Sequence, residues 1–167
     1  MTLRLILTRH AKSDWSGGAT TDFDRPLNAR GRDEARLVAE WLLSRGYLPG
    51  RIIASAARRT AETAEHLVAV LGTDEPVDAR EALYQADDEA LLTTLRAETA
   101  QTILVVGHNP TIAHLAGALL HDHPRHPRFV DYPTGATAVI DFALPHWADI
   151  APGAGALRDF AVPDELA

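Results

Sequence analysis

The chain has 167 residues, 46% hydrophobic and 23% charged, which is enough apolar material for a core and too much for a disordered polypeptide. Sixteen basic against 23 acidic residues leave a formal charge of −7, which excludes a general affinity for nucleic acid or acidic membranes; an anion must be held by basic groups gathered locally. The absence of cysteine excludes disulfides, thiolate metal sites and cysteine nucleophiles, and suits a reducing compartment.

The first apolar run is interrupted by Arg4 and is too short for a signal-peptide core. No stretch has the apolar length of a membrane span. The expectation is a cytoplasmic protein of one domain, residues 1–167, with neither nucleic acid nor membrane as partner.

Leu3 to Thr8 (LRLILT) reads as a buried strand that runs straight into Arg9-His10. A Gly/Thr/Asp loop follows. Asn28 then caps a helix with one face marked by Ala35, Val38, Trp41 and Leu42, and Gly46 stops it. Arg51 to Ser55 is a second strand. From Ser55 a helix runs through Ala61, Ala64, Leu67 and Leu71 to Gly72. Pro76 to Ala79 is a short strand, and Asp87 or Asp88 caps a helix through Leu91, Leu92 and Leu95.

Thr102 to Gly107 (TILVVG) is the clearest buried strand. Asn109 and Pro110 supply an N-cap and a first-turn proline for TIAHLAGALL. HDHPRHPRFVDYP is an irregular loop, and Gly135 to Leu144 is another strand. In the tail, PGAG between WADI and ALRDFAV marks an edge hairpin. Alternating strands and helices predict an α/β fold. Its architecture is a three-layer α/β/α sandwich on a mostly parallel central sheet, with an antiparallel hairpin at the edge. Ligands in such sheets gather at the carboxyl ends of the strands.

Three polar clusters fall at that end: Arg9-His10, Ser55 with Arg58-Arg59-Thr60, and Gly107-His108-Asn109-Pro110. If their strands are neighbours, two imidazoles and at least two guanidiniums converge with the free amides of two helix N-termini. Phosphate is the natural guest, because guanidinium forks grip its oxygens in pairs. Nearby cations hold a histidine neutral, and neutral imidazole is a competent nucleophile toward phosphorus. Arg9 then grips the phosphate and His10 attacks it. The guanidiniums neutralise the phosphoryl oxygens, so no metal and no cofactor are expected.

These motifs resemble the histidine phosphatase superfamily, the phosphoglycerate-mutase-like group. RHAKSDW matches its Arg-His-Gly/Ala motif, while Ser55, Arg59, Glu62 and Thr63 match a Ser-x-x-x-Arg-x-x-Gln-Thr-like helix start. GHNP matches its late Gly-His. The resemblance runs from about Leu3 to about Phe142. The short chain, DFDRPLNARG and PTGA resemble its SixA branch of small phosphohistidine phosphatases.

The resemblance implies a phosphoglycerate-mutase-like fold and a substrate such as a phosphohistidine-containing phosphotransfer protein. It also implies Arg9 and Arg59 as phosphate ligands, His10 as the phosphorylated nucleophile, and His108 as a phosphate-binding, transition-state-stabilising residue. Mutases and monoesterases of the superfamily use a carboxylate as general acid. Glu81 is the nearest by order along the chain, with a solvated strand-end carboxylate as the competing reading. The alternatives are therefore a small-molecule phosphomonoesterase using Glu81, or a non-catalytic phosphate- or metal-binding module.

Other signals have plainer readings. Asp22-Phe23-Asp24 lies in a loop and is assigned to turn and capping chemistry. His121, Asp122, His123 and His126 sit on an irregular loop with nothing to orient them as metal ligands. Arg58 is a surface residue, Glu62 lies outside the phosphate shell, and Trp15, Trp41 and Trp147 are assigned to core or edge packing.

Overall fold

β1 (Leu3–Arg9) pairs in parallel with β4 (Thr102–Gly107), and β4 pairs in parallel with β2 (Arg51–Ser55). In this computed structural model, which describes residues 2–167, these three strands form the middle of a six-stranded sheet of order β3-β2-β4-β1-β5-β6. Outside them lie β3 (Val77–Arg80), parallel to β2, and β5 (Thr137–Phe142), antiparallel to β1. The fold is the expected α/β sandwich on a mixed sheet.

Register does the positioning. Thr8, Val106 and Ala54 stand level across the three central strands. Arg9-His10, Gly107-His108 and Ser55 therefore leave the sheet side by side at its carboxyl end.

Alternation along each strand splits the core in two. Ile6, Ile52, Ala54, Leu104 and Val106 face α1 (Ala29–Arg45) and α2 (Arg58–Leu71). Leu5, Leu7, Ile53, Ile103 and Val105 face α3 (Asp88–Arg96) and α4 (Thr111–Leu119). Each such aliphatic side chain contributes about 1.5–3 kcal/mol relative to exposure, so burial on both faces holds the three strand ends rigidly together. Asn28 caps α1 by accepting from the Gly31 amide, and Gly46 ends it with φ 72°. Gly31 has a second reason to be glycine. A Cβ there would stand 1.9 Å from the Lys12 carbonyl oxygen, so α1 can lie against the loop after His10 only without a side chain.

Three expectations shift. The tail strand is β6 (Gly155–Ala161), but its antiparallel partner is β5. WADI forms a 3₁₀ turn instead of a hairpin arm, because the Trp147 indole donates to the Ala100 carbonyl and its ring packs on Phe142. α2 begins at Arg58 with no side-chain cap: the Ser55 hydroxyl accepts from the Ala57 amide, ahead of the helix, and meets His108. α4 is preceded by Pro110 in the cap position instead of the first turn, while Asn109 still accepts from the Ala113 amide through its side-chain oxygen and donates to the carbonyls of Asp131 and Tyr132. Among the described residues no helix is long and apolar enough to cross a membrane.

Candidate active site

At the carboxyl edge of β1, β4 and β2 lies a cleft of about 350 Å³ lined by Arg9, His10, Asp22, Arg25, Arg59, Tyr84, Gln85, His108 and Asn109. The four residues placed together from sequence, Arg9, His10, Arg59 and His108, are all in it. The imidazoles of His10 and His108 have centroids 5.4 Å apart. Arg59 reaches within 3.5 Å of His108 Nδ1 through a terminal nitrogen.

His10 is 8% exposed, and its backbone N–H donates to Gly107 across the strand ends. Its Nδ1 lies 2.7 Å from the Ala11 carbonyl oxygen. A carbonyl only accepts, so Nδ1 carries the proton and the lone pair is on Nε2. Burial, then the charges of His108, Arg59 and Arg9, push the His10 pKa down to about 3 against the Ala11 hydrogen bond. The ring is therefore neutral at physiological pH.

His108 is held similarly. Its Nε2 is 2.8 Å from the Ser55 hydroxyl, and burial followed by Arg59 lowers its pKa to about 4. With Arg59 donating toward Nδ1, the proton sits on Nε2 and is given to Ser55. Ser55 thus orients His108, a role its place at the expected helix start did not indicate.

The two guanidiniums differ in their anchors. A terminal nitrogen of Arg9 donates to the Tyr132 carbonyl at 3.3 Å; Tyr132, with φ 46°, turns that oxygen toward Arg9 and Asn109 together. Arg59, 6% exposed, donates from its terminal nitrogens to the Asp22 backbone oxygen at 2.8 Å and the Asp22 carboxylate at 3.0 Å. Each guanidinium keeps a buried Nε–H without a partner. An unpaired buried donor costs about 1–3 kcal/mol, more when charged. The helix amides are less free than expected, since the Arg58 N–H donates to Phe23 and the Ala113 N–H to the Asn109 side chain.

Glu81 does not join this group. It sits exposed at the start of a 3₁₀ turn (Glu81–Leu83) that buries Leu83 and carries Tyr84, not Glu81, into the cleft. The carboxylate that does line the cleft is Asp22. Its Oδ1 accepts from Arg25 at 3.0 and 2.9 Å, and its Oδ2 accepts from Arg59 and from the Tyr84 hydroxyl. The Tyr84 hydrogen bond first, and then Arg59 and Arg25 together, hold its pKa down at about 2 against the opposing desolvation. Asp22 therefore has a place in the cleft besides the turn chemistry read from its Asp-x-Asp motif; the turn is there too, closed by Thr21 with Asp24 and by the Arg25 amide on the Asp22 carbonyl.

The remaining candidates separate cleanly. Arg58 pairs with Glu62 outside the cleft. His121 donates to the Gly155 carbonyl, and His126 pairs with Glu165 and packs on Phe160, so these loop histidines have separate partners. Trp41 and Trp147 are buried, but Trp15 is 54% exposed, with the Arg25 guanidinium 5.2 Å from its ring centre. The core-packing assignment fails for Trp15.

Residues 5–88 match the profile of the Histidine phosphatase superfamily (branch 1). An uncharacterised Mycobacterium tuberculosis protein is 38% identical over 149 residues, covering 84% of this chain and 89% of that protein. The Escherichia coli phosphohistidine phosphatase SixA is 28% identical over 121 residues, covering 70% of this chain and 74% of that one. A Nakamurella multipartitia structure assigned as SixA superimposes with TM-score 0.80 at 29% identity, covering 98% of this chain and 97% of that one. A protein histidine phosphatase SixA complexed with tungstate has the same fold, with TM-score 0.80 at 24% identity and coverage of 99% and 100%.

Proposed function

Because the chain belongs to the histidine phosphatase superfamily, we propose that it is a metal-independent phosphatase acting through a phosphohistidine intermediate on His10, with phosphohistidine on a protein as substrate. The observation that carries this reading is the buried, neutral His10. Its free Nε2 lone pair stands beside His108 in a cleft that Arg9 and Arg59 also line.

In this reading Arg9 and Arg59 hold the phosphoryl oxygens, joined by His108 once the bound oxyanion raises its pKa and Nδ1 is protonated, while His10 Nε2 attacks phosphorus in line. The bond from phosphorus to the leaving atom breaks, and its electron pair departs with that atom. Water then attacks the phosphorus of phospho-His10, the P–Nε2 bond breaks, and inorganic phosphate leaves with Nε2 restored. The guanidiniums supply the charge neutralisation throughout.

The leaving group decides between substrates. An alkoxide needs a proton from the enzyme, and among the described residues no protonated carboxyl lines the cleft. Asp22 is held ionised, and Glu81 lies outside. An imidazole leaves more readily and takes its proton from water, which favours a phosphoramidate. SixA of E. coli, a relative named as a phosphohistidine phosphatase, supports the same choice. A phosphohistidine-containing phosphotransfer protein is the partner we assign.

The test is to trap the labelled enzyme during turnover of a phosphoramidate in the presence of a chelator. An acid-labile phosphoryl group on His10 is expected. An active preparation in which His10 never carries label would overturn the assignment, and loss of activity to the chelator would remove its metal independence.

A further inference from the structure

Among the described residues Asp22 is the one carboxylate that lines the cleft, and the proposed chemistry does not use it. It lies in the loop between β1 and α1, which has no regular structure of its own, yet several contacts fix it. Thr21 and Asp24 close a turn around it. The Phe23 carbonyl accepts from the first amide of α2, and the Phe23 ring packs edge-on against Tyr84 at 5.0 Å. The turn thus holds Asp22 over the N-terminus of α2, where Arg59 begins its side chain.

Asp22 offers Arg59 two acceptors at once, its backbone oxygen at 2.8 Å and its carboxylate at 3.0 Å. Tyr84 and Arg25 fix that carboxylate from two other directions, and both also line the cleft. An arginine side chain is long and flexible, and a planar guanidinium recognises an oxyanion only when its plane is fixed. With both terminal nitrogens claimed by one residue, the buried Nε–H and the edge toward His108 keep a single orientation.

We propose that Asp22 is a positioning residue: it fixes the Arg59 guanidinium, with Tyr84 and Arg25 as its braces, in the orientation that stabilises the transferring phosphoryl group. This rests on the phosphatase reading above. It also assigns a cost. A carboxylate beside a phosphate site opposes anion binding in the ground state, so it is retained for what it does to geometry. Serving as a general acid is not that role, because its oxygens are occupied by donors and its low pKa leaves it no proton to give.

Cost and benefit point in opposite directions, which makes the proposal testable. Asp22→Asn and Tyr84→Phe are compared with the wild-type chain for kcat on a small phosphoramidate, inhibition by inorganic phosphate, and melting temperature. For Asp22→Asn, kcat should fall by about 10- to 100-fold while phosphate inhibits equally well or better, with melting little changed. Tyr84→Phe should move kcat the same way by less.

Unchanged kcat in Asp22→Asn would overturn the proposal. So would increased kcat, which would make Asp22 a brake, or a parallel loss of kcat, phosphate affinity and melting temperature, which would make it merely structural. A wild-type chain without turnover would sink the phosphatase reading instead. Positioning would then be read from the Arg59 Nε–H resonance in nitrogen-15 spectra with inorganic phosphate bound. It should be single and sharp in the wild type and broadened in Asp22→Asn; identical signals would overturn it.

Discussion

Two groups of arginines sit at different places on the same sheet and are treated oppositely. On the β3 edge, Arg51 and Arg80 meet Asp78 and Glu98: Arg51 lies 2.5 Å from Asp78 and 3.0 Å from Glu98, and Arg80 lies 2.9 Å and 3.5 Å from the same two. Two cations face two anions, and hydrogen bonding to Glu98 raises the Arg51 pKa. In the cleft, Arg9 and Arg59 stand beside two neutral imidazoles, and burial lowers the Arg9 pKa. The first cluster is electrically complete and works for the fold. In the second, Arg9 makes no ion pair among the described residues and donates only to the Tyr132 carbonyl, an imbalance that ligand sites commonly show.

Substitutions should separate the two clusters sharply. The largest effect is expected from His10→Ala, a loss of turnover on the order of 10⁴-fold with the fold intact, measured on a phosphoramidate alongside circular dichroism. Next, Arg59→Ala should lower kcat/KM by about 10²–10³-fold. Arg51→Ala should leave kcat/KM within about twofold and cost about 1–3 kcal/mol of stability in urea unfolding. Equal activity losses in the two arginine variants would erase the distinction.

The clusters should also respond differently to acid. His10 and His108 have folded pKa values of about 3 and 4, below the ordinary 6.5, so the unfolded chain binds more protons between those limits. Stability should therefore be highest above about pH 6.5 and fall as pH drops toward 4, by on the order of 1.4 kcal/mol per pH unit for each histidine. Excess inorganic phosphate should shrink that loss, because a bound oxyanion favours the protonated rings. Asp78, with its pKa lowered first by Arg80, stabilises the fold above the ordinary carboxylate range and loses that contribution only at still lower pH. Unfolding followed from pH 7 to pH 4, with and without phosphate, checks both slopes; a flat profile would mean that the two histidines are not buried neutral.

Much of this was legible in sequence, for a physical reason. Arg9-His10, Ser55 and His108 each follow a strand directly, so buried strands and parallel register were enough to bring them together. Asp22 was not legible, because its meaning lies in Arg59 and Tyr84, 37 and 62 residues away, and a loop seen in isolation reads as a turn. Trp15 was misread because composition favours burying tryptophan, whereas here Arg25 supports an exposed ring. The edge hairpin was half right: the strand at 155–161 formed, but apolar packing of Trp147 took WADI out of the sheet.

Glu81 is the case where order along the chain and position in space part company, and it predicts the smallest effect. The turn at 81–83 is a single 3₁₀ turn, in which successive side chains point about 120° apart. Leu83 takes the inward direction because it is apolar and packs in the core with Leu91, which leaves Glu81 outside and brings Tyr84 to the cleft. Glu81→Gln should therefore change hydrolysis of both a phosphoramidate and an aryl phosphate by less than about twofold, with stability altered by less than about 0.5 kcal/mol. A selective collapse of ester hydrolysis would mean that the turn swings Glu81 inward during catalysis. The cleft would then have the proton donor that a phosphomonoesterase requires, and the preference for a nitrogen leaving group would lose its basis.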